Sequence, residues 1–520
     1  MQSVSAVHSQ LRNVPGRSPY AAATLSTPVT LSTPVTAEVV PAVQSQPEPY
    51  IHHAQQAALG GGRRTIALAI CCSALFMVGL DNTIVIVGLP SIGDSLHTAV
   101  SGLQWTIAGY TIVLASLLIF SGAAADRIGR RTIFQVGLSL FTLGSWLCSL
   151  APSLAWLIAF RVLQGIGGSM LAPAALGIIT NIFSAPRDRA KAIGVWDGVS
   201  GLSMALGPIA GGILVGSVGW RGIFWANIPV GLAAVALTAL LVPDSRAERG
   251  RKADPVGQFL VIVMLGSLAY AIIQGPSEGW LSPRIAVFFL VSVAALAALL
   301  KYEPRRAEPL IDFRFFRSVP FTAANLTAVC AIATLAGFLF LTTLYLQDVR
   351  GYTALQAGLT LLPMPIMMAV SSPLSGRILA RGGPRIPFVI AGAALTLSTA
   401  ALSQLSAYSG PLFLLITYGL FGIGAGMVNV PISNGVMSGV PKSQAGMASG
   451  MNSSSRQLGQ SLGVAIVGSV LAVSLRGSMH AGFLNAAHAG WWIMAGCGYS
   501  VLVLGVVSTT SWAKSTVRSE

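Results

Sequence analysis

Two carboxylates and two guanidinium groups lie inside strongly apolar stretches of this 520-residue sequence. The acidic residues are Asp81 and Asp197, and the basic residues are Arg161 and Arg456. A charged side chain at the middle of a membrane helix costs about 2.5 to 3.5 kcal/mol on insertion scales, so it usually faces a cavity or a charged partner. Groups of this kind bind and release protons or hold charged ligands.

Asp81 and Arg161 are predicted to share one depth. Pro90 marks the end of the first apolar segment, and Asp81 precedes it by about 14 Å of helix. Arg161 lies about 12 Å beyond Ser153, where the fourth segment begins. Two interpretations follow from this placement. Asp81 exchanges a proton for a cationic substrate, or the pair is a static tie between two helices.

Asp197 lies six residues after Lys191, near the inner edge of the fifth segment. Either Lys191 or Arg189 is close enough in sequence to reach its carboxylate. We therefore expect a structural ion pair, with a role in proton coupling as the alternative.

A polar stripe crosses the thirteenth segment. Asn452, Arg456 and Gln460 recur every four residues, which places them on one face of a helix. That face either lines a cavity or packs against the other half of the protein.

The segments that carry these residues are transmembrane by composition. Hydrophobic residues make up 53% of the chain and charged residues only 9%, compared with about 25% charged in soluble domains. About 20 helical residues cross a bilayer core. Fourteen segments meet that requirement, centred near 66–90, 102–122, 131–150, 154–180, 190–217, 220–242, 257–275, 284–300, 321–346, 356–376, 385–407, 411–433, 443–473 and 490–511. The sequence predicts an all-α integral membrane protein.

Basic residues are unevenly distributed between the loops. If both termini are cytoplasmic, 25 of the 31 Lys and Arg residues fall in cytoplasmic segments and 4 fall outside. This bias predicts cytoplasmic termini in the cell membrane, and it accounts for the net charge of +15 without a nucleic-acid partner. Residues 1–62, rich in Pro, Ser and Thr, are predicted to form a disordered cytoplasmic tail.

An internal repeat divides the chain. GAAADRIGRRTIF at 122–134 aligns without gaps to GRILARGGPRIPF at 376–388, and each follows the second segment of its half. Two related bundles of six helices that face each other across a central cavity are a known transporter plan. We predict bundles at 63–245 and 305–520, with two inserted helices at 246–304.

Five motifs in order carry a family resemblance. They are LDNTIVIVGLP at 80–90, GAAADRIGRRTIF at 122–134, LIAFRVLQGIGGS at 157–169, MALGPIAGG at 204–212 and WRGIFWANIPVG at 220–231. Together with fourteen spans, they resemble the drug/proton antiporters of the major facilitator superfamily. The resemblance implies the major facilitator fold and proton-driven export.

The second of these motifs is predicted to form a cytoplasmic gate. Its residues are Gly122, Asp126, Arg127, Gly129, Arg130 and Arg131. Gly122 and Gly129 permit a tight turn, and Asp126 is expected to lie against a helix N-terminus of the opposite half, where the helix dipole favours a carboxylate. The alternative is that the arginines merely follow the positive-inside bias.

The fifth segment is predicted to bend near its outer end. Gly207, Pro208, Gly211 and Gly212 combine the loss of a backbone donor with close helix approach. The resemblance implies that this bend seals the outer half in antiporters. Helix packing alone would also account for the glycines.

The predicted function is proton-driven export of amphipathic drugs or antibiotics by alternating access. Proton-coupled transport of a metabolite or nutrient is the alternative. The histidines are scattered, and no GxxxxGK[ST] sequence is present, so neither an enzyme nor an ATP-driven pump is indicated. We expect no cofactor or metal, and we expect the chain to act as a monomer in contact with lipid, protons and a small amphipathic substrate.

Overall fold

Helices account for nearly all of the residues described by the computed structural model, which are 61–246, 254–306, 308–438, 440, 445–475 and 479–517. Most of the tail predicted at 1–62 lies outside them. The helices before the inserted pair are α1 (Gly61–Leu96), α2 (Val100–Ile128), α3 (Arg130–Ser149), α4 (Leu154–Ile182), α5 (Pro186–Val218), α6 (Gly222–Trp225) and α7 (Asn227–Leu241). The inserted pair is α8 (Pro255–Glu278) and α9 (Pro283–Tyr302).

The remaining helices complete the chain. They are α10 (Val319–Leu344), α11 (Ala354–Thr360), α12 (Pro363–Gly382), α13 (Arg385–Leu402), α14 (Pro411–Ser438), α15 (Ala445–Ser474), α16 (Met479–Ser508) and α17 (Ser511–Ser515). Short 3₁₀ turns occur at Glu303–Arg305 and Phe313–Arg317, and a π-helical turn occurs at Tyr345–Val349. Long helices are expected here because a chain in lipid must satisfy its backbone hydrogen bonds internally.

The prediction of fourteen spans is confirmed. Thirteen helical segments within the described residues are long and apolar enough to cross a membrane, and the bent helix α5 makes a fourteenth. The short helix α6 continues into α7 as one span, and α11 continues into α12 as another.

Six spans on each side of the inserted pair pack in the same pattern. In the N-terminal bundle (α1–α7), α4 packs against α1, α2 and α3. In the C-terminal bundle (α10–α16), the corresponding helix α14 packs against α10, α12 and α13. The fourth span of each bundle therefore lies at its centre, and this placement brings α4 against the helix that carries Asp81.

In the described part of the chain, the two bundles meet mainly between α2 and α15 and between α5 and α11, and smaller contacts join α1 to α10 and α11 and join α5 to α12. Gln104 Nε2 donates to Ala465 O at 2.7 Å, and Gln347 Nε2 donates to Val87 O at 2.9 Å. Both bonds lie toward the end of the molecule at which α1 ends, which is the predicted outer end. The interface is thus closed at that end by polar contacts.

The inserted helices form a hairpin in which α8 packs against both bundles. Gln258 Nε2 donates to Ser116 O of α2 at 2.8 Å. Ser469 Oγ of α15 donates to Ile272 O of α8 at 2.6 Å. The hairpin is therefore bonded to the N-terminal bundle near one end of α8 and to the C-terminal bundle near the other.

Candidate functional site

Asp81 of α1 and Arg161 of α4 form an ion pair inside the N-terminal bundle. Arg161 Nη1 donates to Asp81 Oδ2 at 2.5 Å. Each of the two residues exposes only 1% of its surface. The structure thus brings together the two charges that the sequence places at one depth. Because both are removed from water, each charge depends on the other for stabilisation.

Three neutral side chains complete the network around this pair. Gln164 Nε2 donates to Asp81 Oδ1 at 2.9 Å and to Ser145 Oγ at 2.7 Å. Asn227 Nδ2 lies 3.4 Å from the same Asp81 oxygen and 3.3 Å from Ser145 Oγ. Both carboxylate oxygens of Asp81 are therefore occupied, by donors from α4 and α7.

Arg161 has further partners on α2. Its Nε donates to Thr106 O at 3.1 Å, and its guanidinium carbon lies 4.3 Å from the ring centroid of Tyr110, within the range of a cation–π contact. Both oxygens of Asp81 accept hydrogen bonds in this conformation, and the pair is almost fully buried. The geometry of this state is that of a tie between helices, so proton or substrate exchange at Asp81 requires the network to open.

Asn82, the next residue along α1, takes part in a different contact. Its Oδ1 lies 3.4 Å from Nε2 of Gln460, which belongs to α15 of the C-terminal bundle. Successive helical residues point about 100° apart. One turn of α1 therefore presents Asp81 to the interior of its own bundle and Asn82 to the opposite bundle.

The polar stripe of α15 contacts three other helices. Arg456 Nη2 donates to Asn429 Oδ1 of α14 at 2.8 Å, and Arg456 Nε lies 3.4 Å from Asn452 Oδ1. Asn452 Nδ2 lies 3.5 Å from Asn325 Oδ1 of α10. Together with Gln460, which reaches α1, these contacts show that the stripe packs within its own bundle and also meets the other one.

The expected structural ion pair of Asp197 with Lys191 or Arg189 is wrong. Arg189 Nε donates instead to Phe183 O at 3.0 Å, in the turn that precedes α5. Asp197 is exposed and has no ion pair or hydrogen bond within the described part of the chain. Arg189 caps the preceding helix end because the carbonyl groups of that end need donors.

The cytoplasmic turn is held by contacts within the N-terminal bundle. Arg130 Nη2 donates to Asp126 Oδ1 at 2.9 Å, and Arg130 Nη1 donates to Gly177 O of α4 at 3.2 Å. Arg131 Nη2 donates to Ala239 O of α7 at 2.5 Å, whereas Arg127 is exposed. In this conformation Asp126 does not contact a helix of the opposite half, because its carboxylate accepts from a guanidinium one helical turn away, and the contact expected at the gate stays a prediction.

Gly129 alone makes the tight turn, and the expectation that Gly122 shares this role is wrong because Gly122 lies inside α2. Gly129 has a φ of 134° and joins α2 to α3. Its counterpart in the repeat, Gly383, has a φ of 76° and joins α12 to α13. Both copies thus turn at a backbone conformation that favours glycine.

Replacing Gly129 by alanine is expected to lower stability by about 1 to 3 kcal/mol, because the new side chain is strained at this φ. A Cβ there would also lie 2.8 Å from Asp244 Oδ1. Thermal unfolding of the purified protein in detergent measures the effect. Gly376→Ala is the control, since Gly376 is helical with open space around it. Equal midpoints for the two variants would contradict the expectation.

The Gly-Pro segment of α5 is bent and unusually close to its neighbours. The parts of α5 before and after residue 205 meet at 42°. A Cβ on Gly207 would lie 1.8 Å from Thr83 Oγ1, and one on Gly211 would lie 3.1 Å from Ile84 O, both on α1. A Cβ on Gly212 would lie 2.7 Å from Ala354 O of α11.

Pro208 takes part in the same junction, since a Cβ on Gly358 of α11 would lie 2.3 Å from Pro208 O. The glycines therefore serve packing. Because α11 belongs to the C-terminal bundle, the junction also joins the two bundles.

Sequence reasoning missed several members of the Asp81 network. Gln164 follows Arg161 by three residues, so the shared helix face could have indicated it. Asn227 lies in the motif at 220–231, although nothing in its spacing indicates a contact with α1. Ser145 gives no sequence signal, because small hydroxyl residues are common in membrane helices.

A known family has this architecture of paired helix bundles. Residues 71–464, more than half of the chain, match the sequence model of the Major Facilitator Superfamily. The chain belongs to this superfamily. It is accordingly a membrane transporter and not an enzyme.

Several superfamily transporters are similar in sequence. The chain is 38% identical to the multidrug resistance protein Stp of Mycobacterium tuberculosis, over 78% of this chain and 75% of that protein. It is 38% identical to the tetracenomycin C resistance and export protein of Streptomyces glaucescens, over 79% and 76%. It is 34% identical to the methylenomycin A resistance protein of Streptomyces coelicolor, over 79% and 87%.

Two solved transporter structures share the fold. A bacterial homologue of the human lysosomal transporter Spinster, in an inward-facing and unoccupied conformation, gives a TM-score of 0.61 at 17% identity, covering 88% of this chain and 98% of that one. The nucleoside transporter NupG, as a D323A mutant, gives 0.59 at 12% identity, covering 86% and 100%. The predicted major facilitator fold, with two six-helix bundles and two extra central spans, is confirmed.

Proposed function

We propose that this transporter exports amphipathic drugs or antibiotics across the cytoplasmic membrane in exchange for protons. Similar proteins named for multidrug or antibiotic resistance support the export. The observation that carries the proton coupling is the carboxylate of Asp81, which is buried inside a membrane helix and bonded to α4 and α7. A membrane potential of 100 mV supplies about 2.3 kcal/mol for each elementary charge that moves inward.

The coupling begins when the Asp81 network opens. A proton on Asp81 removes the charge that holds Arg161, and it converts one carboxylate oxygen from an acceptor to a donor. When the proton is on Oδ1, the oxygen that accepts from Gln164 and Asn227 becomes a donor, so the contacts of α1 with α4 and α7 weaken. Asn82 follows Asp81 on α1, so a movement of α1 at Asp81 also alters the contact of Asn82 with Gln460 of the opposite bundle.

Alternating access follows from the placement of the bundle contacts. We assign the bundles to 63–245 and 305–520, the inserted pair to 246–304, and both termini to the cytoplasm. The bonds of Gln104 and Gln347 hold the bundles together toward the outer end, so this conformation receives substrate from the inside. One chain supplies both bundles, and the monomer is therefore a complete transporter.

The cytoplasmic turn closes the other end in the second half of the cycle. In the present conformation Asp126 is bonded to Arg130 and keeps 41% of its side chain exposed. When the inner end closes, Asp126 exchanges this surface pair for a helix N-terminus of the C-terminal bundle. The exchange costs little, because a surface ion pair of this spacing contributes only about 0.3 to 0.5 kcal/mol.

Dye accumulation in cells tests the proposal. We expect cells with the wild-type protein to accumulate several-fold less carboxyfluorescein, an amphipathic anionic dye, than cells without it, and a protonophore to abolish the difference. Asp81→Asn preserves the shape of the side chain but removes its charge, so we expect the variant to export no dye. Cellular fluorescence measures both effects.

A matched control is Asp94→Asn, which neutralises an exposed carboxylate near the end of the same helix. We expect this variant to export dye at the wild-type rate. Export by the wild type that continues unchanged in the presence of protonophore would refute the antiport. Net dye uptake driven by protons would instead favour the alternative of nutrient transport.

A further inference from the structure

Asp197 and Arg456 lie at the same depth on helices of opposite bundles. Asp197 is eleven residues from the first residue of α5, and Arg456 is eleven residues from the first residue of α15. Both distances correspond to about 16 Å of helix. Both helices begin at the predicted inner end, so the two charges lie at a similar depth from that end. Asp197 is also the acidic group whose charge acts on Arg456 through space.

Arg456 lacks a paired counter-ion in the part of the chain that the structure describes. The side-chain hydrogen bonds seen there go to the neutral amides of Asn429 and Asn452. No carboxylate lies within 4 Å of it among the described residues. A guanidinium group carries five N–H donors in a planar fork that suits an anionic oxygen pair. Leaving such a cation without an anion inside a membrane protein costs free energy. The position beside the Arg456 guanidinium is therefore suited to binding an anion.

Asp197 does not fill that position in this conformation. Its carboxylate is exposed, and it makes no hydrogen bond or ion pair in the described structure. It compensates the charge of Arg456 only from a distance. An anion that enters from the predicted inner end can therefore approach Arg456 without first breaking a direct ion pair.

The Asp81–Arg161 pair offers the opposite arrangement. Arg161 donates to Asp81, Gln164 and Thr106, and it exposes only 1% of its surface. It has no direction from which a ligand can approach. Of the two arginines that the sequence places inside the spans, Arg161 is buried against a carboxylate, whereas Arg456 is partly exposed and has no carboxylate partner among the described residues.

We propose that Arg456 is the substrate-binding cation of this transporter, that it selects amphipathic molecules carrying a carboxylate or a comparably acidic oxygen, and that the bound anion takes over the charge compensation which Asp197 provides from a distance. This inference rests on the proposed export function and names its substrate class. The neighbouring amides of Asn452 and Asn429 hold the guanidinium in place and leave its remaining donors to the ligand. Asp197 repels the anion modestly and therefore favours its release.

Direct binding to the purified protein tests the inference without a proton gradient. The probes are anthraquinone-2-carboxylate and its methyl ester, which share an apolar ring system and differ in charge. Quenching of the intrinsic tryptophan fluorescence reports the Kd of each. We expect the wild type to bind the carboxylate at least tenfold more tightly than the ester.

Three variants separate charge recognition from structural damage. Arg456→Gln is expected to weaken carboxylate binding at least tenfold while ester binding changes less than twofold. Arg456→Lys keeps the charge but loses the planar fork, so we expect an intermediate carboxylate Kd. Asp197→Asn, at an exposed position, is expected to tighten carboxylate binding several-fold.

Two outcomes overturn the inference, and a third rejects only the proposed antiport. Equal weakening of acid and ester in Arg456→Gln would assign Arg456 a structural role. Tighter binding of the ester than of the acid by the wild type would exclude an anionic substrate. Loss of protonophore sensitivity in cells, with the binding pattern intact, would instead reject the antiport and leave the ligand class standing.

Discussion

Replacing Asp81 by alanine is expected to destabilise the folded protein by about 3 to 5 kcal/mol, the usual cost of leaving one charge of a buried ion pair without its partner. Arg161 would then be left as a cation with 1% exposure. Gln164 and Asn227 would lose an acceptor as well. The midpoint of thermal unfolding in detergent, followed by the fluorescence of a thiol-reactive dye or by aggregation, measures the loss.

Two comparisons identify the cause of that loss. The double variant Asp81→Ala with Arg161→Leu removes both charges, so we expect it to be more stable than Asp81→Ala alone. Asp126→Ala breaks a partly exposed pair and is expected to change stability by less than about 1 kcal/mol. If Asp81→Ala unfolded at the wild-type temperature, the pair would not be buried as the structure shows.

Replacing Gly212 by leucine is expected to reduce export at least tenfold. A Cβ at this position would lie 2.7 Å from the oxygen of Ala354 and 2.7 Å from the Cα of Leu355. Both atoms are on the backbone of α11, which cannot move aside as a flexible side chain can. The variant therefore prevents α5 and α11 from closing toward the predicted outer end, and export requires that closure in every cycle.

The position of the defect can be measured directly. In an Ala354→Cys background, Gly212→Leu is expected to increase labelling by a membrane-impermeant maleimide added outside the cell. Gly216→Leu is the matched control, because Gly216 is one turn further along α5 and a Cβ added there would meet no atom within 4 Å. Wild-type export by Gly212→Leu would show that the junction need not close.

The sequence predicts those features of the fold that depend on a single physical property, such as hydropathy or the rise per residue of a helix. Span positions follow from hydropathy, because about 20 apolar residues are needed to cross a bilayer. The shared depth of Asp81 and Arg161 follows from counting residues along straight helices. The turn at Gly129 follows from its glycine, and the repeat predicts the corresponding turn at Gly383.

The sequence is less informative about partners that depend on helix rotation or on the state of the cycle. The sequence does not identify Ser145 or Asn227 as a contact of Asp81. Such a contact depends on how α3 and α7 are oriented about their axes. The cytoplasmic motif predicts a contact of Asp126 with the opposite bundle, although its carboxylate meets Arg130 in this conformation. Proximity in sequence predicts a basic partner for Asp197, but Arg189 is taken by a helix end.

The inserted hairpin has a mechanical consequence. Gln258 ties α8 to the N-terminal bundle, and Ser469 ties it to the C-terminal bundle, near opposite ends of one rigid rod. Any swing of one bundle against the other must strain one of these two anchors. We therefore expect α8 to limit how far the two bundles separate. The width of that separation sets the size of the largest substrate that the transporter admits.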